Sequence, residues 1–340
     1  MKEKKVKKTK KSKMHPFIKG FLGCIAVVLV VACGASFVVA GALHGKLNYN
    51  EIEEVKREPL KEAGVKNILL IGNDSRSADE SGRSDAMILV SISSKTNSIH
   101  LTSLLRDIYV DIPGHDGNRL NAAYAYGGPE LLMETLEENF DIEVNRYMLV
   151  NFQAFANLVD AVGGVDLELS NEEVQYVNGY LVEYNQLEGR PEGTDYLDTS
   201  LSGTIHLNGP QALAYCRNRY IGSDFARTER QRKVVTAAVK NAPLALVTNG
   251  GDLIEGVMSN VTTNLTKTEL SGLMMQAPMM LTYDMVSGSI PLEGNYSNAN
   301  ISGMAVLKVD LEANKEYIQK EIYGNYVARN PMGFLALLYS

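Results

Sequence analysis

Basic residues are concentrated in residues 217–233 (RNRYIGSDFARTERQRK), where five arginines and one lysine occur within a chain of formal net charge −7. Like charges at this density are unfavourable unless an anion holds them together. A guanidinium group carries a planar fork of donors that matches two phosphate oxygens. The stretch therefore predicts a site for a phosphate-bearing ligand, and the alternative is a solvated basic helix face paired with Glu229. We expect Arg230 and Arg232 to be solvated neighbours of that site.

The spacing within this stretch predicts two structural pieces. Arg217 and Arg219 share one side of the chain only if the preceding helix ends there and the chain continues extended. Asp224 is the predicted N-cap of the next helix. On that helix, Arg227, Arg230 and Gln231 lie at positions i, i+3 and i+4, on one face near the amino terminus, where free backbone amides and the helix dipole favour an anion.

A second group of charged residues follows the first predicted strand, in the segment IGNDSRSADESGRSDAMIL. Asp74 and Arg76 come just after this strand, and Arg83 and Asp85 come just before the next one. If the two strands are neighbours, the loop brings the two carboxylates together. Paired carboxylates suit a hard cation such as Mg²⁺, which substrate phosphates commonly complete. The alternative is a polar turn whose aspartates cap backbone amides.

Arg106 follows a third apolar run, in LLRDIYVDIPG. A half-buried arginine at a strand end needs a partner. Asp107 or Asp111 could supply that partner locally, and a phosphate could supply it as well. The next segment, RLNAAYAYGG, adds Arg119 and Asn121 ahead of two tyrosines.

Short apolar runs that predict buried strands occur at 65–72, 86–93, 99–105 and 285–292. Apolar residues at helical spacing predict helices at 128–140, 151–164, 266–282 and 311–324. Strands that alternate with helices predict an α/β fold with a central mixed sheet flanked by helices, an α/β/α sandwich. Ligands in such sheets bind at the carboxyl ends of strands. Residues 171–203, polar with scattered glycine and tyrosine, are expected to be a surface excursion.

The amino terminus predicts a membrane anchor in front of this fold. Residues 1–19 carry nine lysines and one glutamate, which predicts a basic cytoplasmic tail. Residues 20–44 contain a 23-residue uncharged run, long enough for one transmembrane helix. A cleaved signal peptide is the alternative, although its apolar region is usually about 7 to 15 residues long. Residues 45–64 are then a linker, and the rest of the chain is expected outside the cytoplasm.

Charge content excludes general binding of nucleic acid, and cysteine content excludes a disulfide within the outer domain. The chain beyond the lysine-rich tail is more acidic than the whole, so it lacks the basic field that binds nucleic acid. Cys24 and Cys33 lie in the predicted membrane segment, which leaves Cys216 without a disulfide partner in the outer domain. Cys216 is expected to be a small core residue.

Seven ordered motifs together resemble the LytR-CpsA-Psr family of extracytoplasmic cell-wall enzymes. They are NILLIGNDSR, GRSDAMIL, LLRDIYVDIPG, RLNAAYAYGG, VDAVGGVDLEL, HLNGPQALAYCRNR and SDFARTERQRKV. The resemblance assigns residues 65–242 to the family's catalytic core. Residues 243–340 are expected to continue the extracellular α/β domain.

The resemblance implies a phosphotransferase of the cell envelope. Such an enzyme takes an anionic glycopolymer, of the teichoic acid or capsular polysaccharide type, from a polyprenyl pyrophosphate carrier and attaches it to a sugar hydroxyl of peptidoglycan. Its expected partners are that lipid-linked polymer, peptidoglycan and the lipid bilayer, and its expected cofactor is Mg²⁺, with Mn²⁺ as an alternative ion. The lipid tail is expected in an apolar groove that the sequence does not locate.

The resemblance also assigns roles residue by residue. Asp74 and Asp85 match the Mg²⁺-associated aspartates. The positions that match pyrophosphate-binding residues are Arg106, Arg217, Arg219, Arg227 and Gln231. Arg119 stands where the family commonly has lysine, and Arg76 and Arg83 match further basic positions of the pocket. The expected catalytic residues are Asp74, Asp85 and Arg106, with Asp74 or Asp85 as the base and Asp224 as a further candidate for it.

Two other functions are compatible with these residues. Members of the family have been labelled transcriptional regulators or attenuators, although the basic cytoplasmic part is too short to fold into a DNA-binding domain. A pyrophosphatase that hydrolyses the lipid carrier would need the same arginines and the same Mg²⁺. Detection of polymer on the glycan would distinguish ligation from hydrolysis.

Overall fold

The structure is a computed structural model that describes residue 45 and residues 48–49, 64–73, 84–248, 261–280 and 282–324. The side chains of residues 48–49, 73, 85, 242–248, 267, 274 and 277–278 are not among the described parts. The predicted basic tail, the whole predicted transmembrane helix and most of the linker lie outside these ranges as well. Within them, none of the helices has the length and apolar character that a membrane span requires.

The strands are β1 (Asn48–Tyr49), β2 (Val65–Asn73), β3 (Ser84–Ser93), β4 (Ser98–Leu104), β5 (Tyr109–Val110), β6 (Asn118–Arg119), β7 (Arg146–Asn151), β8 (Val165–Leu169), β9 (Gly203–Leu207), β10 (Val261–Thr263), β11 (Asp284–Ile290), β12 (Tyr296–Ile301) and β13 (Met304–Val309). A seven-stranded sheet has the order β1-β10-β7-β2-β3-β4-β11. The pairs β5-β6, β8-β9 and β12-β13 form separate two-stranded sheets.

The central sheet is mixed. Strand β2 runs antiparallel to β3 and parallel to β7, and β4 runs antiparallel to β3 and parallel to β11. The predicted strands at 65–72, 86–93, 99–105 and 285–292 correspond to β2, β3, β4 and β11. Strands β10 and β11 come from the part of the chain after residue 242 and join the same sheet.

The helices are α1 (Leu120–Phe140), α2 (Phe152–Ala161), α3 (Asn171–Leu187), α4 (Gly209–Arg217), α5 (Asp224–Thr248), α6 (Lys267–Met280) and α7 (Leu311–Glu321). They flank the sheet, which confirms the predicted α/β arrangement of a central mixed sheet covered by helices. The predicted helix at 128–140 is the second part of α1, whose backbone departs from helical geometry at Gly127 and Gly128.

One face of the sheet is tightly packed against α1 and α7. We call it the packed face, and its core includes Leu69, Met87, Leu89 and Tyr147 of the strands with Leu132, Leu136, Phe140 and Ile318 of the helices. All of these side chains are buried. The opposite face, the cavity face, is formed by Leu70, Gly72, Ala86, Ile88, Met148 and Val150 and lies towards α2, α4 and α5.

Residues 171–203 are not simply a surface excursion, because residues 171–187 form helix α3. The helix begins with a capping box in which Ser170 and Glu173 exchange side-chain to backbone hydrogen bonds. Val174, Val177 and Leu181 are fully buried against α2, α4 and α5. The polar residues that suggested a loop occupy the outer side of this amphipathic helix.

Candidate active site

The ends of five strands meet at one edge of the sheet. Asn73, the last residue of β2, pairs with Asn151 at the end of β7 and with Ser84 at the start of β3. Leu104 and Ile290, the last residues of β4 and β11, pair with each other. Residues that follow these strands are therefore brought to the same edge, where α/β sheets bind their ligands.

A β-bulge marks this edge at Asp85. Gly72 and Asn73 are consecutive residues of β2. Their partners on β3 are Ala86 and Ser84, so Asp85 is the extra residue between them. Bulges turn a side chain out of the regular alternation and are frequent next to active sites.

The predicted metal ligands, Asp74 and the Asp85 side chain, lie outside the described residues, as do Arg76 and Arg83. Over the part of the chain that is described, there is no group of three His, Cys, Asp or Glu residues that could hold a metal ion. Carboxylates are the donors that Mg²⁺ prefers, and Asp74 follows Asn73 directly in the sequence. The donor type thus fits Mg²⁺, and the ion remains a prediction.

Helix α4 ends at Arg217, so Arg219 lies beyond the helix. The two arginines can point to one side only if the helix ends here, as the sequence predicted. The buried Asn218 leaves helical geometry with φ −58° and ψ 117°. Its side-chain oxygen accepts hydrogen bonds from the backbone N–H groups of Tyr220 and Ile221, at 2.9 and 3.2 Å. The buried Asn218 side chain therefore stabilises the turn that carries Arg219.

The Arg217 side chain is held by aromatic rings. Its Cζ lies 4.8 Å from the centroid of the Phe152 ring and 5.6 Å from that of Tyr180. Its Nη2 lies 3.7 Å from Oε1 of Glu183. Cation–π contacts use the faces of the guanidinium group, so they position Arg217 while in-plane N–H donors can still bind an anion.

An alternating chain of charges, which we call the charge ladder, is formed by Arg119, Asp107, Arg106, Asp224 and Arg227. Arg119 Nη1 lies 3.2 Å from Asp107 Oδ1, and Asp107 Oδ2 lies 3.4 Å from Arg106 Nε. Arg106 Nη2 lies 3.7 Å from Asp224 Oδ2, and Asp224 Oδ1 lies 3.4 Å from Arg227 Nη2. Three guanidinium groups thus alternate with two carboxylates.

The charge ladder shows which of the two predicted local partners, Asp107 or Asp111, contacts Arg106. Asp107 pairs with it, whereas Asp111 is exposed and its backbone N–H donates to Asn139. Arg106 also reaches Asp224 on α5. The ion pairs therefore connect the end of β4 to the beginning of α5.

Helix α5 begins at Asp224, one residue before the predicted start, and its first two turns carry Arg227 and Gln231. The backbone N–H of Arg227 donates to the carbonyl of Ser223 at 3.1 Å, and the Arg227 side chain is buried. Residues four apart lie on one face of a helix, which for this pair is the face towards the cavity.

The expectation that Arg230 and Arg232 are solvated neighbours is wrong, because both are buried. Arg230 Nη2 donates to the carbonyls of Asn218 and Ile221 at 2.9 and 2.8 Å. Its Nη1 also lies 3.6 Å from Glu173 of α3. Arg232 points to the sheet, where its Nε donates to Ser287 of β11 at 2.9 Å and burial lowers its pKa. Both arginines thus hold the scaffold together.

A cavity of about 600 Å³ lies between the cavity face and helices α2, α4 and α5. The cationic and amide residues that line it are Asn151, Arg217, Arg219, Arg227 and Gln231. Much of the remaining lining is apolar and includes Phe155, Leu158, Leu213, Val235 and Val239. Ligand-binding cavities commonly have volumes of about 300 to 1,000 Å³. This chamber combines an apolar wall with a cationic group of side chains.

Alternate residues of three strands build the sheet side of the cavity in two rows. The inner row consists of Met148, Leu70 and Ile88, which pair across β7, β2 and β3. The row nearer the strand ends consists of Val150, Gly72 and Ala86. A Cβ atom on Gly72 would lie 3.0 Å from the Cβ atom of Ala86. Small residues therefore keep the cavity wide beside the sheet edge.

The structure brings Arg217, Arg219, Arg227 and Gln231 to one cavity, and ion pairs link Arg106, Arg119 and Asp224 to Arg227. Sequence reasoning missed the aromatic supports Phe152 and Tyr180. Tyr180 lies four residues after Tyr176 on α3, a helical spacing that could have been noticed. No sequence signal points to Phe152, because its role depends on how α4 packs against α2.

Comparison with known proteins gives a consistent assignment. The model of the LytR_cpsA_psr family matches residues 36–320. Polyisoprenyl-teichoic acid–peptidoglycan teichoic acid transferase TagU of Oceanobacillus iheyensis is 33% identical over 287 residues, which is 79% of this chain and 82% of that protein.

Solved structures agree with the sequence matches. A structure described as TagT bound to LI-WTA is 29% identical, covers 80% of this chain and 96% of its own, and has a TM-score of 0.61. Another, YwtF (TagT) with bound octaprenyl pyrophosphate lipid, is 27% identical, covers 80% of this chain and 95% of its own, and has a TM-score of 0.58. Because the family model matches most of the length of this chain, the chain belongs to the LytR-CpsA-Psr family.

Proposed function

We propose that this protein is a transferase that moves an anionic glycopolymer, of the teichoic acid or capsular polysaccharide type, from a polyprenyl pyrophosphate carrier to a sugar hydroxyl of peptidoglycan. The observation that carries the proposal is the apolar cavity of about 600 Å³ lined by Arg217, Arg219, Arg227 and Gln231. A polyprenyl pyrophosphate has the same two parts, a long apolar chain and a compact anion. The names of TagU and of the TagT complexes support this substrate class.

The apolar part of the cavity accommodates the polyprenyl chain. Leu70, Ile88 and Met148 form its floor, and Leu213 and Val235 face them from α4 and α5. Removal of a prenyl chain from water is favourable by about 25 cal/mol per Å² of apolar surface. This burial anchors the carrier and leaves the pyrophosphate at the arginines.

The arginines bind the pyrophosphate and stabilise the charge that develops as the polyprenyl phosphate departs. Asp107 and Asp224 hold the guanidinium groups of the charge ladder in place before the substrate arrives. Preorganised charges need little rearrangement during the reaction, which is a main source of rate enhancement in phosphoryl transfer.

The acceptor hydroxyl attacks the phosphorus atom that carries the glycopolymer, and the bond from this phosphorus to the polyprenyl phosphate oxygen breaks. The hydroxyl proton passes to a carboxylate, for which Asp74 or Asp85 is the candidate. Asp224 is less suited, because its two carboxylate oxygens already contact Arg106 and Arg227.

Mg²⁺ is part of the proposal, with Asp74 and Asp85 as its protein ligands and Mn²⁺ as an alternative ion. Its support is the pairing of the neighbouring residues, since Asn73 and Ser84 are partners at one end of β2 and β3. When bound, such an ion would neutralise pyrophosphate charge.

We further propose that residues 20–44 anchor the protein in the cell membrane, with the amino terminus in the cytoplasm and the catalytic domain outside. The support is the sequence, in which nine lysines precede a 23-residue uncharged segment. A membrane anchor suits a donor that itself stays in the bilayer. Protease accessibility of the domain in intact cells tests this location.

The transfer reaction is tested with the full chain in detergent, lipid-linked polymer, peptidoglycan oligomers and Mg²⁺. Covalent polymer on the glycan supports the proposal, and free phosphate-terminated polymer without glycan product would indicate hydrolysis. Arg217→Ala and Asp85→Ala are expected to abolish transfer, and Lys233→Ala is the control because Lys233 is exposed and paired with Glu229. If both site variants keep precursor binding and transfer, the site assignment is wrong.

A further inference from the structure

Three tyrosines form an aromatic cluster beside the arginines. Tyr176 and Tyr180 lie one helical turn apart on α3, and Tyr220 lies in the turn between α4 and α5. The Tyr220 ring stacks on Tyr176 with centroids 5.3 Å apart and an interplanar angle of 13°. It lies 6.3 Å from the Tyr180 ring. Tyr220 is nevertheless 73% exposed, so one face of its ring is open to solvent.

Hydrogen bonds to two buried residues, Asn218 and Arg230, hold the turn that carries Tyr220. The backbone N–H of Tyr220 donates to Asn218, and the carbonyls of Asn218 and Ile221 accept hydrogen bonds from Arg230. Asn218 and Arg230 are 1% and 4% exposed, so both belong to the interior. A large exposed ring on a fastened turn presents its surface without further loss of conformational entropy.

The cluster is continuous with the pyrophosphate-binding arginines. The Tyr180 ring links the two groups. Its centroid lies 6.3 Å from the centroid of the Tyr220 ring and 5.6 Å from Cζ of Arg217. Arg217 in turn lines the apolar cavity, whereas Tyr220 is open to solvent. A ligand with its lipid in the cavity and its pyrophosphate at Arg217 would therefore extend its remaining part over these tyrosines.

We propose that Tyr220, supported by Tyr176 and Tyr180, stacks against a sugar ring of the donor glycan, the first or second sugar after the pyrophosphate. The electron-rich face of an aromatic ring attracts the weakly positive C–H groups on one face of a pyranose. The covalent structure of the donor puts glycan and lipid on opposite sides of the pyrophosphate, so the sugars leave the arginines on the side away from the lipid cavity, and Tyr220 is an exposed ring near Arg217. This inference rests on the proposed function, since it presumes that Arg217 binds that pyrophosphate.

Two synthetic probes test the platform in the full-length protein: octaprenyl pyrophosphate, and the same lipid carrying a disaccharide. Tyr220→Ala is expected to weaken binding of the disaccharide probe about 3- to 10-fold and to leave binding of the sugar-free probe unchanged. Tyr220→Phe keeps the ring and is expected to bind both probes as the wild type does. Tyr196→Ala removes another partly exposed tyrosine, away from the cavity lining, and serves as the control.

The outcomes separate the platform from the proposed function. An equal loss for both probes in Tyr220→Ala, or no loss for the disaccharide probe, overturns the platform and leaves the transferase proposal intact. A loss in Tyr220→Phe equal to that in Tyr220→Ala also overturns it, because the hydroxyl rather than the ring would be responsible. Failure of the wild type to bind either probe overturns both proposals.

Discussion

The two faces of the central sheet use alternate residues of the same strands, yet one is filled and the other is hollow. On the packed face, Leu69 and Tyr147 are almost completely buried against α1 and α7. On the cavity face, the neighbouring Leu70 and Met148 border a chamber of about 600 Å³. The strand pairing is common to both faces, so the difference arises from what covers them.

The helices supply that difference through side-chain size. Helix α1 covers the packed face with Leu132, Leu136 and Phe140, each with no exposed surface. The helices over the cavity face contribute small residues as well, including Ala154 and Ala238. Close packing is the normal state of a protein interior, so an apolar chamber of this size indicates space kept for a ligand. We infer that the packed face mainly stabilises the domain and the cavity face mainly binds substrate.

The largest effect that this division predicts is a loss of activity without loss of fold. Arg227→Ala is expected to reduce kcat/KM for transfer about 100-fold or more, because it removes a preorganised cation from the pyrophosphate. The thermal midpoint should change little, because Asp224, the partner of Arg227 in the ladder, is partly exposed and keeps its contact with Arg106. Kinetic assays measure the expected loss of kcat/KM, and thermal unfolding measures the midpoint. A large decrease of the midpoint would show that the ladder is mainly structural.

A matched pair of leucine variants tests the division by stability. Leu136→Ala, on the packed face, is expected to reduce the free energy of unfolding by about 3 kcal/mol or more. Leu213→Ala, in the cavity wall, should lose roughly half as much, because one side of Leu213 already lacks packed neighbours. Urea unfolding measures both values. Equal losses would mean that the cavity wall is packed as tightly as the opposite core.

Filling each face is the reverse experiment. Ala86→Leu should protrude into the cavity and weaken binding of octaprenyl pyrophosphate about tenfold, with little change in stability. Ala123→Leu, on the packed face, has no free space and is expected to cost about 1 to 3 kcal/mol of stability. Lipid-binding titrations and urea unfolding distinguish the two outcomes. Unchanged lipid affinity in Ala86→Leu would place the prenyl chain elsewhere.

The sequence predicted the packed layer better than the hollow one. Apolar runs identify β2, β3, β4 and β11 because buried strands leave a direct pattern in the chain. The pattern of α3 was also present, in its capping box and in Val174, Val177 and Leu181, but the polar composition of residues 171–203 concealed it. A cavity leaves no such pattern in the sequence, because it forms where side chains of the sheet and of the covering helices do not pack against each other.

The arginine stretch shows the same limit at the level of single residues. Composition predicted an anion site, and the spacing of Arg227, Arg230 and Gln231 predicted a shared helix face. Nothing in the spacing distinguishes Arg227 from Arg230, which lies three residues later and is equally buried. Their roles diverge because Asp224 faces the first, whereas the carbonyl groups of the turn after α4 face the second.

The smallest predicted effect is a dependence of stability on pH that originates in the packed face. Burial lowers the pKa of His100 below its ordinary value, although Glu321 of α7 partly opposes this. The unfolded chain therefore binds a proton more readily than the folded one. Stability is complete above a pH of about 6.5 and falls as the pH decreases through that value towards the lower pKa of the folded state.

We expect the free energy of unfolding to decrease between pH 7.5 and pH 5.5, measured by urea unfolding. His100→Gln should remove most of this loss, because glutamine does not titrate and can still form a hydrogen bond in place of the 2.8 Å contact between His100 Nε2 and Ser98 Oγ. Because His100 is remote from the cavity lining, the affinity of His100→Gln for octaprenyl pyrophosphate should stay at the wild-type value. A variant that keeps the full pH dependence would trace it to other groups, and one that loses lipid affinity would show that the two faces are coupled through the sheet.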